Sequence, residues 1–284
     1  MTATFAEGPE GGRYARIGEG RVPHGFQLWH RLVEPFAHFG DGGAHSVLVL
    51  DNRGVGFSEA PRDVRRYTTS AMAADVLELM DSIGWSRAHI VGVSMGGMIA
   101  QELAIQRPEV VASLTLTSTH AGRTLPPLKG LVTIPHMLTM KDPAARAAAS
   151  RDLIFTQEWL EKPSKKEKGK TNREAITAVF MSRSAVTPPP SLNGVLGQLA
   201  AVLTHHVSQL RLQTIVLARI PVLVCTGTWD NLILPSNSDF LAKALNAKVY
   251  RIFVGGGHAV IEDFCDDYNA MLEQFIADIE MGKK

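Results

Sequence analysis

Ser94 lies in the run Gly92-Val93-Ser94-Met95-Gly96-Gly97, with one glycine two residues before it and another two after. A serine hydroxyl becomes a nucleophile only when a neighbouring base takes its proton, and that base needs an acid to orient it. Both residue types occur later in the chain, each just beyond an apolar run. Asp230 stands in Thr226-Gly227-Thr228-Trp229-Asp230-Asn231, after the run 220–225. His258 stands in Gly255-Gly256-Gly257-His258-Ala259, after the run 249–254. Ser94, Asp230 and His258 in this order are the residue types of nucleophilic catalysis, with serine as nucleophile, aspartate as orienting acid and histidine as base.

The elements around Ser94 suit that role. A strand-like run over 88–93 feeds directly into the serine, and a helix-like run over 95–106 follows at once. Strand, sharp turn, serine and helix make a nucleophile elbow, whose glycines are required because side chains there would meet the strand and helix. The hydroxyl then stands clear of the strand, beside the positive end of the helix dipole. A plainer alternative is a tight strand–helix connection in which Ser94 only caps the helix.

The rest of the chain supplies the frame. Strands are predicted at 46–51, 88–93, 110–117, 220–226 and 249–254, and helices at 69–84, 95–106, 236–245 and 266–280. Alternating strands and helices predict an α/β fold with a mostly parallel sheet flanked by helices, and ligands in such sheets bind beyond the carboxyl ends of the strands. The stretch 120–217 breaks the rhythm with helical patterns at 144–155 and 172–183, a lysine-rich segment at 162–170 that reads as a solvated loop, and three prolines at 188–190. It reads as a helical cap. The expected division is a core of residues 1–120 and 217–284 and a cap of residues 121–216.

Composition excludes several classes. The 284 residues are 45% hydrophobic and 20% charged, with a net charge of +1, so neither nucleic acid nor an anionic membrane surface is an expected partner. The cysteines, Cys225 and Cys265, suggest no disulfide framework. No apolar run is long enough to span a bilayer and residues 1–12 show no secretory pattern, so the expected location is the cytoplasm. Gly54-Val55-Gly56 lacks the third glycine of a dinucleotide fingerprint because Glu59 stands there, and Met98 replaces the lysine of a phosphate-binding loop. His205-His206 has no carboxylate partner nearby in sequence, so no metal and no cofactor are expected. Together with His120 these histidines are candidates for lining a substrate pocket.

With these motifs in view, the chain resembles the α/β-hydrolase fold family, in its cap-bearing, esterase- and lipase-like branch. The resemblance covers roughly residue 46 to the C-terminus. It rests on Asp51-Asn52-Arg53-Gly54-Val55-Gly56-Phe57-Ser58, which looks like the family's D-x-R-G-x-G-x-S turn, and on the segments holding Ser94, Asp230 and His258. Leu203-Thr204-His205-His206-Val207 and Pro235-Ser236-Asn237-Ser238 look like a fungal-type subgroup. The resemblance implies attack by Ser94 on a carbonyl carbon, an acyl-enzyme, the backbone N–H of Met95 as one oxyanion donor, and His258 acting as base, then acid, then base again for water. Epoxide hydrolases and haloalkane dehalogenases of this fold carry aspartate at the elbow, so Ser94 favours cleavage of an ester, thioester, amide or carbon–carbon bond.

The chain departs from the family before residue 46. Members carry about three strands there, the third ending in a His-Gly-like motif whose next residue supplies a second oxyanion N–H. His24-Gly25-Phe26 resembles that motif and makes Phe26 the candidate donor, but Pro23 precedes it where a central strand would need a ladder donor. The N-terminal strands are therefore expected to be incomplete. The expected activity is cleavage of a small carboxylic ester or related acyl compound. Two alternatives stay open: a non-catalytic member that binds a small ligand, and an acyltransferase using the same triad. Oligomeric state is not legible.

Overall fold

The computed structural model describes residues 4–7, 13–16, 47–56, 58–165, 167–186 and 191–282. Strands β1 (Thr4–Glu7) and β2 (Arg13–Arg16) form an antiparallel pair in which Thr4 faces Arg16 and Glu7 faces Arg13. The main sheet comprises β3 (Ala88–Val93), β4 (Val111–Thr117), β5 (Val222–Gly227) and β6 (Val249–Phe253), hydrogen-bonded in that order and parallel throughout. Parallel neighbours need long crossovers, and helices supply them.

Helix α1 (Thr69–Ser82) precedes β3 and α2 (Met95–Gln106) connects β3 to β4. Between β4 and β5 come six helices: α3 (Leu128–Thr139), α4 (Pro143–Ile154), α5 (Gln157–Glu161), α6 (Asn172–Val186), α7 (Leu192–Thr204) and α8 (Gln209–Leu217). Helix α9 (Pro235–Ala244) joins β5 to β6, and α10 (Val260–Asp263) and α11 (Cys265–Glu280) close the chain. The strands and helices expected from residue 69 onward are present within a few residues of their expected ends.

The expected strand at 46–51 is the exception. Val47 makes an isolated bridge, and residues 48–51 carry no ladder pairing among the described residues. The bridge partner of Val47 is not among the described residues, so the pairing of this run lies outside them. The expected incompleteness of the N-terminal strands concerns segments that lie largely outside the described residues.

Alternation along β5 divides the core in two. Val222 and Val224 face a cluster built with Met72, Leu103, Leu212 and Leu241 from α1, α2, α8 and α9. Leu223 and Cys225 face the opposite side, where Tyr268, Leu272 and Phe275 of α11 pack. Thr117 Oγ1 shares a hydrogen bond with the Tyr268 hydroxyl (2.8 Å), which fixes α11 against the sheet inside that apolar layer. Helix α2 is buried almost all round from Gly97 to Ala104, as a helix lying between sheet and neighbouring helices must be. Its Glu102 is satisfied by a bidentate Arg211 of α8, at 2.9 and 2.7 Å. Among the described residues no helix is long and apolar enough to cross a membrane.

The turn at Asp51-Asn52-Arg53-Gly54 fastens the insertion to the core. Arg53 grips Asp75 of α1 at 2.8 and 2.5 Å and the Arg66 carbonyl at 2.7 Å. Its own carbonyl accepts from Gln198 of α7 at 2.6 Å. Gly54 has φ +79, a conformation that penalises any side chain, and a Cβ there would lie 2.6 Å from the buried Tyr67 ring and 2.9 Å from Gly194 Cα. On the other side of the ring, a Cβ on Gly197 would fall onto Tyr67 itself. Tyr67 is thus clamped between the turn and α7. Replacing Gly197 with alanine forces that ring or helix to shift, an overpacking cost of about 1–3 kcal/mol. Gly197→Ala should therefore melt several degrees below wild type in a thermal unfolding scan; an unchanged melting temperature would show that the clamp is loose.

Candidate active site

The polypeptide leaves β3 at Val93 and turns sharply at Ser94, which adopts φ 55 and ψ −122. A non-glycine residue in this region is strained by about 1–3 kcal/mol and needs support from its surroundings. The Ser94 N–H donates to Thr117 O at the end of β4 (2.9 Å), while Ser94 O accepts from Gly97 N (2.9 Å) and from Thr119 Oγ1 (2.7 Å). Met95 opens α2, so its N–H is one of the first-turn donors that have no acceptor within the helix.

The glycine pattern is obeyed with one change. A Cβ on Gly92 would collide with the Gly96 carbonyl, and one on Gly97 would stand 2.7 Å from the Thr119 side chain. A Cβ on Gly96 would meet nothing within 4 Å among the described residues. Among them, the glycine that close approach requires after the serine is therefore Gly97, which faces the segment after β4.

Asp230 and His258 are brought together from the loops after β5 and β6. His258 Nδ1 and Asp230 Oδ2 are 2.8 Å apart, with both side chains buried. Asp230 Oδ1 accepts from the N–H groups of Leu232 and Ile233 at 2.8 and 2.9 Å, which locks the carboxylate in place. A carboxylate oxygen accepts, so this contact suits the tautomer with its proton on Nδ1, which leaves Nε2 as the ring's acceptor.

The two loops are held to each other by their backbones. Thr228 N donates to Phe253 O (3.1 Å), Trp229 N to Gly256 O (2.8 Å), and Gly255 N to Thr228 Oγ1 (2.9 Å). A Cβ on Gly227 would strike the carbonyls of Gly256 and Gly257, so the approach depends on glycine at that position. The next amides are held from elsewhere. Gly257 N donates to Asp263 Oδ2 of α10 (2.6 Å), and His258 N donates to Ile154 O at the end of α4 (2.8 Å). The inserted helices therefore touch the histidine's own backbone. Ser94, Asp230 and His258 all follow the carboxyl ends of their strands, aligned by a register in which Val93 pairs with Thr117 and Thr117 with Cys225.

The remaining candidates occupy other places. Phe26 lies outside the described residues. His120 and His205 are buried side by side where the insertion leaves and rejoins the sheet, their ring centroids 5.7 Å apart. There Gly122 bridges His206 and Val207 N donates to Ala121 O at 2.7 Å. His120 Nδ1 accepts from Gly122 N (2.8 Å), and His205 Nδ1 bonds Thr69 Oγ1 (2.8 Å). The His206 side chain is exposed. Among the described residues no group of three or more His, Cys, Asp or Glu could hold a metal ion. Asp263, Thr119 and Thr228 escaped the motif reading. For Asp263 the available signal was an acidic pair, Glu262-Asp263, set in the apolar run 259–264 shortly after His258.

Comparison with known proteins decides the family. The chain matches the alpha/beta hydrolase fold over residues 22–264. It belongs to the α/β-hydrolase fold family. The match begins well before residue 46, so residues 22–45, including His24-Gly25-Phe26, fall within it. RutD of Pseudomonas savastanoi pv. phaseolicola, described as a candidate carbamate hydrolase, is 28% identical over 224 residues, 77% of this chain and 79% of that protein. The meta-cleavage product hydrolase CumD from Pseudomonas fluorescens IP01 superimposes with a TM-score of 0.70 at 17% identity, over 91% of this chain and 88% of that one. The enol-lactonase from Burkholderia xenovorans LB400 gives 0.68 at 23% identity, over 92% and 94%. The two structures share the fold, and both RutD and CumD are named as hydrolases.

Two predictions follow from the geometry. Gly96→Ala should melt at or above wild type, since alanine fits the space and favours the helix, whereas Gly97→Ala should lose about 1–3 kcal/mol in denaturant titration. Equal losses would show that the elbow's packing differs from the arrangement above. Burial holds His120 at about 4 and, joined by the neighbouring His120, holds His205 at about 3. Both values lie below the ordinary 6.5, so the unfolded chain takes up protons first and the stability these neutral rings support is lost as pH falls below about 6.5. The variant carrying His120→Gln and His205→Gln should accordingly lose less stability between pH 7 and pH 4.5 than wild type. Parallel pH curves would show that these rings do not govern the acid response.

Proposed function

We propose that this protein is a serine hydrolase that cleaves a carboxylic ester or a related acyl compound through an acyl-enzyme on Ser94. The observation that carries this reading is the buried His258 Nδ1 to Asp230 Oδ2 hydrogen bond, made at the same sheet edge as the strained Ser94 turn. In this reading Nε2 of His258 takes the Ser94 proton as Oγ attacks the carbonyl carbon. The developing oxyanion is met by the Met95 N–H at the start of α2, with Phe26 as the second donor suggested by the sequence. His258 then protonates the leaving group, and water attacks the acyl carbon with His258 as base again. Asp230 holds the imidazole in the useful tautomer and stabilises its cation. One oxyanion donor of this kind is worth about 100- to 1000-fold in rate.

Residues 121–216 act in this reading as a cap over the core of residues 1–120 and 217–284. Support comes from the joined base at Ala121–Val207 and from the Ile154 carbonyl on the His258 N–H. A carbamate is the second substrate to consider, because it too presents a carbonyl to a serine and the RutD relative is described in those terms. The fungal-type placement rests on residues 203–207 and 235–238 alone, while the relatives named above are bacterial.

Turnover of p-nitrophenyl acetate and butyrate by wild type and Ser94→Ala tests the proposal. The expected result is loss of at least about 1000-fold in kcat with an unchanged melting temperature, and labelling of wild type but not the variant by a serine-directed phosphonate. A folded wild type with neither turnover nor labelling would overturn it in favour of a small-ligand binder. An added alcohol or amine acceptor that diverts product from hydrolysis would make the protein an acyltransferase on the same residues. A p-nitrophenyl carbamate measured alongside decides the second substrate.

A further inference from the structure

Asp263 closes α10 and returns beneath the loop that carries His258. Its Oδ2 accepts from Gly257 N at 2.6 Å, the amide immediately before the histidine. Its Oδ1 is buried without a hydrogen-bond partner. A Cβ on Gly257 would lie 2.5 Å from Ile154 O and 3.3 Å from Asp263 Oδ2, so both oxygens approach this residue closely. The neighbouring His258 N–H donates to that same Ile154 carbonyl. The two successive amides that lead into the imidazole are thus each held, Gly257 N by the Asp263 carboxylate and His258 N by a carbonyl of the inserted helices.

A buried carboxylate with one oxygen unsatisfied is a poor choice for stability alone, because a desolvated charge is costly wherever it is not fully hydrogen-bonded. We propose that Asp263 is a positioning residue for His258, fixing the peptide that carries the imidazole and supplying negative charge that favours the imidazolium formed during proton transfer. This rests on the reading of His258 as the catalytic base and extends it to a residue outside the triad.

The electrostatics act in the same direction. The charged and titratable groups acting on Asp263 are Glu262 of its own helix, His258 of the loop after β6 and Asp230 of the loop after β5. Burial pushes the Asp263 carboxyl up to about 7, with Glu262 and Asp230 adding to the rise and the Gly257 amide and His258 opposing it. Its charge therefore changes near neutral pH, in the range where a histidine base also titrates. A carboxylate near an imidazole favours the protonated ring.

The test is the His258 side chain itself, followed by 15N NMR across pH in wild type and Asp263→Asn, which can still accept from Gly257 but is uncharged. The His258 titration should move to lower pH by about half a unit or more, the shift expected from losing one nearby partly buried charge. The acid limb of kcat/KM should move the same way. Asp263→Ala, which also removes the acceptor, should lose a further tenfold or so in kcat with KM within about twofold, the pattern of a displaced catalytic group. An unmoved His258 titration in folded Asp263→Asn overturns the proposal whatever the turnover does. Should Asp263→Ala fail to fold, Asp263→Asn alone decides. A wild type without turnover or Ser94 labelling would defeat the hydrolase reading, while the NMR titration would still decide whether Asp263 governs His258.

Discussion

The 2.8 Å contact between His258 Nδ1 and Asp230 Oδ2 joins residues 28 apart in sequence, and the site is arranged around it. Neither side chain could reach the other from its own loop alone. The loops meet because β5 and β6 are hydrogen-bonded neighbours whose carboxyl ends coincide, with Gly227 paired to Phe253. Gly227 then lets the Gly256 and Gly257 carbonyls pass close above it. Backbone bonds from Thr228 and Trp229 complete the joint. A side chain in place of Gly227 would separate the loops, and with them the acid and the base.

The same economy governs the nucleophile. Ser94 holds an unfavourable backbone conformation because Thr117 O, Gly97 N and Thr119 Oγ1 each bond its peptide groups. Those partners come from two elements, the end of β4 and the first turn of α2, so the strain is sustained by packing rather than by local preference. Helix α2 can serve because it is nearly enclosed: it presents its N-terminus to the site and leaves little surface to water. The inserted helices are part of this arrangement. They are closed at their base by the Gly122–His206 bridge and tied to the core at Tyr67, against Gly54 and Gly197, and at the His258 amide. The inserted helices and the imidazole loop are thereby linked through the Ile154 carbonyl.

Much of this was legible in the sequence for definite reasons. The run 88–93, the serine and the helix 95–106 could be read because a buried parallel strand is apolar throughout and an elbow needs glycines. Asp230 and His258 could be read because each is a titratable residue directly after such a run. Pairing decides whether a strand forms, and the bridge partner of Val47 is not among the described residues, so the run 46–51 is not decided by them. Burial distinguishes the candidate histidines, with His120 and His205 packed at the base of the inserted helices and His206 turned to solvent.

The sequence by itself determined the order and chemistry of the parts: which residues could act as nucleophile, acid and base, and that each follows a strand. These are local properties, set by residue type and by the period of the apolar pattern. Tertiary structure alone decided which glycine the elbow needs, Gly97 rather than Gly96, and that Asp263 bonds the peptide before His258. It also decided that a carbonyl from the inserted helices bonds the His258 amide. Those facts depend on what lies opposite a residue across a crossover. A contact of that kind is fixed by register and packing between distant segments, which no run of neighbouring residues encodes.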